Sequence, residues 1–439
     1  MTQLSSIDYS IPEVAAELER GPKWLRDRRK LSRDAFNRTP VPPRGLHLWR
    51  YTDPMRFLFE RGSVSDSAFD RDKDAVHQLG ARYLRDGHLS AFVSDLAGRD
   101  VQIQTTEELT ARSVVVSPLS EAVDQHRELV ELYLYQLINQ QTGKFEAMNG
   151  ALWNDGIFVY VPNNTVVEQP IHLLREAGQA HSAQFPRLLV VVGKNAELTL
   201  IDEYSGGSTS TDDGITYSNG AVEIFGMQES RIRYVSVQRQ APGVQSYLTH
   251  RARIERGATM LTIPLAFGAA ISKQNFGVIM NGPSADSKMY GLLFGTDHQQ
   301  FDNHTLHHHA HGHTTSNIDF KVVLGDKATS AYTGLIRIDH NAEFCEAYQE
   351  NRNLLLNPGT RADSIPELEI LNEEVTCTHG ATVGPIDPMQ LFYLNSRGIH
   401  KPEAVRMVVS GFVASTLKMV SDDLRERITQ IVEQRLEAI

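Results

Sequence analysis

Cys377 and His379 are the residues whose types and spacing best fit metal chemistry in this sequence. They stand two positions apart, so on a strand their side chains would project to the same side. Thiolate and imidazole are both metal ligands, but a closed site takes four ligands. The pair therefore indicates an open or shared site if it is functional. The alternative is a small buried thiol beside a hydrogen-bonded histidine, with no metal.

A histidine cluster forms the second candidate site, and its members are His304, His307, His308, His309, His311 and His313. If residues 306–313 are extended, His307, His309 and His311 share one face, where they could bind one metal. Gly312 makes a regular strand doubtful, and Asp302 is the nearest acidic side chain. A hydrogen-bonded polar ladder and a protein interface are therefore the alternatives to a metal site.

Other catalytic signatures are missing from the sequence. There is no Gly-x-x-x-x-Gly-Lys-Ser/Thr loop, so the chain is not itself a P-loop ATPase. Cys-x-x-Cys, His-Glu-x-x-His and Gly-x-Ser-x-Gly are also absent. Cys345 lies between acidic residues, and we expect it to be inert. The sequence predicts a protein that is not an enzyme.

Composition and charge limit the classes of partner. The chain has 439 residues, 41% hydrophobic and 22% charged, typical of a globular protein with two or three regions. A net charge of -11 gives no general attraction for nucleic acid or an anionic membrane. Two cysteines, no secretory signal at the start and no long apolar run favour a reducing, cytoplasmic location. Partners should be proteins or small ions.

Short β-rich runs must position both candidate sites. They alternate with Gly-containing turns that are often followed by Ala, and they cover residues 157–161, 188–192, 198–201, 232–237, 260–263, 322–324, 335–338 and 368–371. Few helix-length amphipathic segments separate these runs, which favours a parallel β-helix over crossover helices. A sandwich or barrel of short strands is the alternative.

Helices are predicted at both ends. We expect a helical region over residues 1–150, including one helix over 120–141, then the β-helix over 151–386 and a helical tail over 387–439. In the tail, Asp387 and Pro388 begin one helix, a second starts near Pro402, and Ser421 caps a third. Phe412 is expected to lie in the core of the tail.

Several strings resemble the SufB/SufD family of iron–sulfur cluster assembly proteins. They are HTTSNIDFKVVLGDKATSAYTGLIRI (residues 313–338), AYQENRNLLL (347–356), ADSIPELEI (362–370) and CTHGATVGPIDPMQLFYLNSRGI (377–399), with weaker likeness in NDGIFVYVPNNTVVEQPIHL (154–173) and WRYTD (49–53). SufB-like chains have Glu where this chain has Gly380, and a cysteine near Thr360 and Arg361. Both departures point to the SufD branch.

The resemblance implies a mostly β fold, with a right-handed parallel β-helix core between helical N-terminal and C-terminal domains. It implies a scaffold subunit that pairs with a SufB-like paralogue and shares a transient iron–sulfur cluster through His379, with Cys377 beside it. It further implies that the tail docks a SufC-like ABC ATPase, for which we select Leu391, Phe392, Val408 and Phe412.

Reduced flavin in the complex, a role in iron acquisition and a homodimer of the chain alone are further expectations from the family. No cofactor is expected in the isolated chain. Two other hypotheses stay open at this point. One is a carbohydrate-active β-helix enzyme of the secreted type, and the other is a His-rich metal-binding protein built around residues 304–313.

Overall fold

The chain winds back and forth between two long β-sheets. This is seen in a computed structural model that describes residues 10–11, 15–58, 73–97, 100–154, 156–212 and 214–438. In spatial order, sheet A contains β2 (Asp100–Thr105), β1 (Ala91–Leu96), β5 (Ile171–Ala177), β8 (Glu197–Gly206), β10 (Arg231–Gln238), β12 (Thr259–Ala266), β14 (Asp286–Gly295), β16 (Thr315–Leu324), β18 (Cys345–Leu355) and β20 (Val375–Pro385).

Sheet B faces sheet A across a shared core. In spatial order it contains β19 (Arg361–Ile370), β17 (Thr329–Ile338), β15 (Gln300–His309), β13 (Ile271–Met280), β11 (Val244–Ile254), β9 (Thr216–Gly226), β7 (Arg187–Val192), β4 (Gly156–Val161) and β3 (Val115–Pro118), while β6 (Ala183–Gln184) also pairs with β9.

From β7 onward, successive strands alternate between the two sheets, and each pairs in parallel with the strand one turn away. Ile271 pairs with Gln300, and Gln300 pairs with Thr329, a spacing of 29 residues per turn. The result is a β-solenoid of about 8 turns with helices at both ends. This confirms the predicted mostly β fold and the parallel β-helix core. Seven of the eight predicted runs lie wholly in strands, and the run 368–371 extends one residue beyond the end of β19.

Corners between the strands explain the repeated turn pattern. Along one corner, residues with positive φ are each followed by a buried small residue. These pairs are Asn195-Ala196, Glu229-Ser230, Ser284-Ala285, His313-Thr314 and Phe344-Cys345. Each left-handed residue donates its backbone N–H to the next turn, as Ser284 does to His313 O at 3.0 Å. The small residue fits where the chain bends into the core.

The N-terminal helices mostly cover the outer face of sheet B. They are α1 (Lys23–Arg38), α2 (Lys73–Arg85), α3 (Glu107–Ala111), α4 (Leu119–Gln125), α5 (Arg127–Tyr133) and α6 (Lys144–Leu152), with 3-10 turns at Ala16–Glu19, His47–Trp49 and Pro54–Phe57. Most of them pack through Trp49, Phe145 and Trp153 against outward residues such as Phe225 and Tyr247. The α2 helix instead packs on sheet A, beside Phe92.

A single helix over residues 120–141 was wrong. The chain forms α4 and α5 with a break at His126, and it leaves helical geometry after Tyr133. The buried carboxylate of Glu223 accepts hydrogen bonds from the backbone N–H groups of Tyr135, Leu137 and Ile138 at 2.8–3.1 Å. Those N–H groups would otherwise bond within a helix, so a distant side chain overrides the local pattern.

The first turn of the solenoid is capped. Leu109 of α3 and Val114 join the interior core, so they cover the opening of the barrel-like interior. Strand β2 pairs antiparallel with β1, and β3 pairs antiparallel with β4. The region predicted as helical over 1–150 therefore also contributes strands, because its apolar runs complete the first turn.

The tail helices are α7 (Pro388–Ser396), α8 (Lys401–Leu417) and α9 (Asp422–Ala438), and each begins within one residue of its predicted start. Helices α8 and α9 pack on the outer face of sheet A through residues such as Val409, Val413 and Ile428. Among the helices that the structure describes, none has both the length and the apolar character needed to span a membrane.

Three cationic side chains at the contact fix this packing. Lys321 donates to Phe412 O at 2.9 Å, and Arg435 donates to Phe294 O at 2.7 Å. Arg427 donates to the buried Glu203 carboxylate at 2.9 Å. Each of these bonds joins a tail helix to sheet A, so α8 and α9 are firmly seated on the solenoid.

Candidate functional site

The last turn of the solenoid is open. Among the described residues, β19 and β20 have one neighbouring strand each, β17 and β18 respectively. No residue of either strand is buried, whereas every residue of β5 in the first turn is buried. After β20 the chain leaves through Ile386, which packs with the tail on the outer face of sheet A. We call the pair β19 and β20 the open end.

Cys377 and His379 both lie on β20, at the open end. Their register partners on β18 are Ala347 and Gln349, which face the solenoid interior. Cys377 is half-buried and packs beside Ile336 and Ile338, while His379 is exposed. Because the two residues are two positions apart on a strand, they share a face. The structure brings them together as the sequence indicated.

The chemistry of this pair is that of an incomplete ligand set. Burial raises the pKa of the Cys377 thiol, so the thiol holds its proton more firmly than a free cysteine does. No group of three or more His, Cys, Asp or Glu side chains in the described ranges is arranged to hold a metal ion. A metal at His379 would therefore need further ligands from solvent or from a second molecule.

The histidine cluster does not converge. His307 and His309 of β15 point into the core, and burial lowers their pKa values to about 3 and about 4. His307 Nε2 lies 3.1 Å from Ser287 Oγ, and the ring nitrogens of His309 lie 2.7 Å from Thr314 Oγ1 and 2.9 Å from Ser316 Oγ.

The other members of the cluster point elsewhere. His308 pairs with Asp339 at 2.8 Å on the outside, and His304 lies 2.9 Å from Asp302 beneath the N-terminal region. His311 follows the end of β15 and is exposed. The structure thus brings His307 and His309 to one face but places His311 away from them. It shows the hydrogen-bonded polar ladder that was the alternative.

Cys345 occupies a corner rather than a reactive site. It is fully buried, with Sγ 3.1 Å from Thr314 Oγ1. It directly follows Phe344, whose φ is positive, and other turns have Ala, Ser or Thr at this corner position. Packing therefore explains its presence.

The WRYTD segment, residues 49–53, crosses the outer face of sheet B. Thr52 Oγ1 donates to Asp302 at 2.7 Å, and Lys273 Nζ donates to Leu48 O at 2.6 Å and to Asp302 at 2.8 Å. Burial would raise the pKa of Asp302, but Lys273 and His304 together hold that pKa well below its usual range. This segment therefore serves to hold the N-terminal region on the solenoid.

The tail carries an apolar surface next to the open end. Helix α7 buries none of its residues, and four large side chains are exposed there and on α8. We call Met389, Phe392, Tyr393 and Met407 the tail patch. Of the predicted docking residues, Phe392 belongs to it with 67% exposure, while Leu391, Val408 and Phe412 are half-buried beside it. Placing Phe412 in the tail core was wrong, because it lines a groove with Tyr393.

One residue near the site escaped sequence analysis. Gln349 is fully buried on β18 and stands directly opposite His379. Thirty positions separate the two residues along the chain, so only the register of the strands reveals the contact.

Comparison with known proteins identifies the family. The SufBD core domain of the SUF system for FeS cluster assembly matches residues 174–412, and the SufBD protein N-terminal region matches residues 16–173. The chain belongs to the SufBD family of iron–sulfur cluster assembly proteins. This membership favours cluster assembly over the carbohydrate-active enzyme and the His-rich metal-binding protein.

Individual relatives cover nearly the whole chain. Iron–sulfur cluster assembly protein SufD of Bacillus subtilis is 25% identical, over 98% of this chain and 98% of the relative. SufB of the same organism is 24% identical, over 97% of this chain and 92% of the relative. A SufBD family protein of Staphylococcus saprophyticus is 22% identical, over 98% and 92%. The SufB and SufD identities are nearly equal, so they do not separate the two branches.

Proposed function

We propose that this chain is a SufD-like, non-catalytic scaffold subunit whose His379 binds a nascent iron–sulfur cluster at a seam with a SufB-like paralogue. The observation that carries the proposal is the exposure of His379 on the last strand of the open end. A ligand at that place is accessible to a second polypeptide, and the uncovered edges of β19 and β20 offer it a pairing surface.

The SufD assignment rests on two positions. Gly380 stands where SufB-like chains have Glu, and Thr360 and Arg361 stand where they have a nearby cysteine. A Cβ added at Gly380 would meet only Glu350 Cγ, at 4.0 Å, so sterics do not require glycine there. The missing carboxylate and thiolate are thus chemical differences, and they leave the chain unable to assemble a cluster alone.

The cluster is cargo rather than a resident cofactor, and the ligand set suits transient binding. A neutral imidazole is a good ligand for ferrous iron and exchanges more readily than a thiolate. The half-buried Cys377 lies on the same face. It supplies either a sulfur ligand or a surface that excludes water beside the cluster. One or two ligands from this chain hold iron only while the partner supplies the others.

The energy source is a separate subunit in this proposal. The chain has no P-loop, and the tail patch offers an apolar surface for a SufC-like ABC ATPase, with Leu391, Phe392, Val408 and Phe412 at the contact. Because only Ile386 and Asp387 separate β20 from α7, docking at the tail patch acts close to the strand that carries His379.

The remaining parts of the proposal follow from the family. The complex is cytoplasmic, takes part in iron acquisition and holds reduced flavin, for which no residue of this chain is assigned. In the absence of a SufB-like partner, the open ends of two copies pair with each other. The same uncovered edges would serve both kinds of pairing.

The test replaces His379 by Ala in the complex purified with its partner subunits. Iron and acid-labile sulfide per complex should fall several-fold, since one cluster ligand is lost, while the subunit composition stays unchanged. Thr378→Ala is the matched control, because Thr378 is exposed on the opposite face of the same strand. Equal iron and sulfide in the two variants would refute the assignment of His379.

A further inference from the structure

A buried glutamine lies directly behind the exposed His379. Gln349 is fully buried, and its Nε2 donates to Gly334 O of β17 at 3.1 Å. Its side-chain oxygen, Oε1, has no hydrogen-bond partner among the described residues. A buried carbonyl without a donor is costly, so its retention calls for a physical reason.

The row of residues that leads to His379 changes character at Gln349. Thr262, Met289, Ile318, Gln349 and His379 occupy the same position in the successive strands β12, β14, β16, β18 and β20. Met289 and Ile318 fill the core with apolar atoms. After these two apolar positions, Gln349 brings an amide into the core directly behind His379.

The opposite sheet is shaped to hold this amide. A Cβ added at Gly334 would lie 2.3 Å from Gln349 Nε2 and 2.6 Å from Tyr332 Oη, closer than real contacts allow. Tyr332 Oη is itself engaged with Thr305 Oγ1 at 2.8 Å. The amide nitrogen is therefore fixed against sheet B, and the amide oxygen is the part left available.

We propose that Gln349 is a positioning residue for His379: its Oε1 accepts the ring N–H, so the other ring nitrogen presents its lone pair to the seam. This inference rests on the proposed function of His379 as a ligand. Neighbouring strands are only about 4.8 Å apart, so a rotation of the exposed His379 side chain is enough to make the bond.

The chemical gain is control of the tautomer. A neutral imidazole has one protonated and one unprotonated nitrogen, and only the unprotonated nitrogen can bind iron. Metal-binding histidines usually donate their other N–H to an oxygen acceptor that orients the ring. Gln349 provides such an acceptor inside this chain, before any partner arrives.

The test compares three full-length variants. Gln349→Leu removes the acceptor at similar volume, and Gln349→Glu keeps an oxygen there. Gln274→Leu is the matched control, because Gln274 is also buried and both of its amide atoms lack hydrogen-bond partners, but it lies on β13. The readout is the tautomer of His379 from ring ¹⁵N chemical shifts in histidine-labelled chain, with His379→Ala used to assign the signal.

We expect one dominant tautomer in the wild type, Gln349→Glu and Gln274→Leu, and a mixture close to that of free histidine in Gln349→Leu. In the assembled complex, Gln349→Leu should lower bound iron about tenfold at limiting iron, the usual effect of losing such an acceptor. An unchanged tautomer in Gln349→Leu would overturn the inference. If Gln349→Leu does not fold, Gln349→Asn, whose amide is one methylene shorter, takes its place with the same expected mixture.

Failure of this inference is distinguishable from failure of the proposed function. If His379→Ala retains wild-type iron, His379 is not a ligand and the proposed function fails. If His379→Ala loses iron while Gln349→Leu keeps both the tautomer and the iron content of the wild type, only the positioning role of Gln349 fails.

Discussion

The two ends of the solenoid are built on opposite principles. At the first turn, Leu109 and Val114 fill the opening, and β5 is buried along its whole length. At the last turn, β19 and β20 have no buried residue, and the apolar side chains of Leu368, Val375 and Cys377 only partly cover the core beneath them. One end is covered by the chain's own residues, and the other is left open.

This difference indicates that the first turn is built for stability and the last turn for assembly. An open solenoid end risks uncontrolled strand pairing, and proteins limit that risk with charges and prolines on the edge. Strand β19 carries Pro366 with Asp363, Glu367 and Glu369, while β20 ends at Pro385. Such an edge tolerates one shaped partner and discourages aggregation, as the proposed shared cluster site requires.

The largest expected effect lies in the capped half of the molecule. Glu223→Ala should lower the free energy of unfolding by about 3–5 kcal/mol, because it leaves the fully buried Arg187 unpaired and three backbone N–H groups without their acceptor. Urea denaturation followed by circular dichroism measures this. At the open end, Arg361→Ala removes an exposed pair with Asp363 and should leave the unfolding midpoint unchanged. Similar losses in both variants would contradict the contrast between the ends.

Sequence patterns predicted the solenoid because its corners are local. A left-handed residue followed by a small one needs only neighbouring residues, as in Asn195-Ala196 and Ser284-Ala285. Several strands were not identified because their core positions are polar. Strands β13 and β15 place Gln274, Asn303 and His307 in the core, and such polar residues interrupt the apolar run that would indicate a strand. Tertiary packing, not local preference, makes these segments strands.

The candidate site likewise has one part that could be predicted from the sequence and another that could not. The shared face of Cys377 and His379 follows from strand alternation, which a sequence contains. The opposition of Gln349 and His379 depends on the register between β18 and β20. The failure of His311 to join His307 and His309 depends on where β15 ends. Register and strand ends are set by the whole solenoid, so residue types alone could not supply them.

An intermediate effect is expected in the closed interior between the two ends. Burial, assisted by the neighbouring Arg251, lowers the pKa of His250 to about 3, and its ring lies between Tyr234 and Phe276 at centroid distances of 4.8 and 5.2 Å. The unfolded chain has a histidine pKa near 6.5, so between these values the unfolded state binds a proton that the folded state does not. Stability contributed by neutral His250 is complete above about pH 6.5 and is lost as the pH falls toward 3.

Relative to a variant without the ring nitrogens, the wild type should therefore lose about 2–3 kcal/mol of unfolding free energy between about pH 7 and about pH 4.5. His250→Phe should show a correspondingly flatter pH profile in urea titrations at each pH. Because other buried histidines also resist protonation, the variant keeps part of the acid sensitivity. Identical slopes for wild type and variant would mean that His250 is hydrated rather than sealed in the interior.

The smallest effect on stability, and the sharpest effect on assembly, is expected beside the open end. Phe392 is 67% exposed, so Phe392→Ser should change the free energy of unfolding by no more than about 0.5 kcal/mol. The same variant should lose capture of the proposed SufC-like ATPase subunit in co-purification, because an aromatic side chain at the centre of an apolar contact carries much of its binding energy. Ile428→Val is the control: this residue is buried, so the change costs about 0.5–1.5 kcal/mol but leaves the tail patch intact. Retained capture by Phe392→Ser, or lost capture by Ile428→Val, would move the docking surface away from α7, and the exposed apolar side chains there would need another partner.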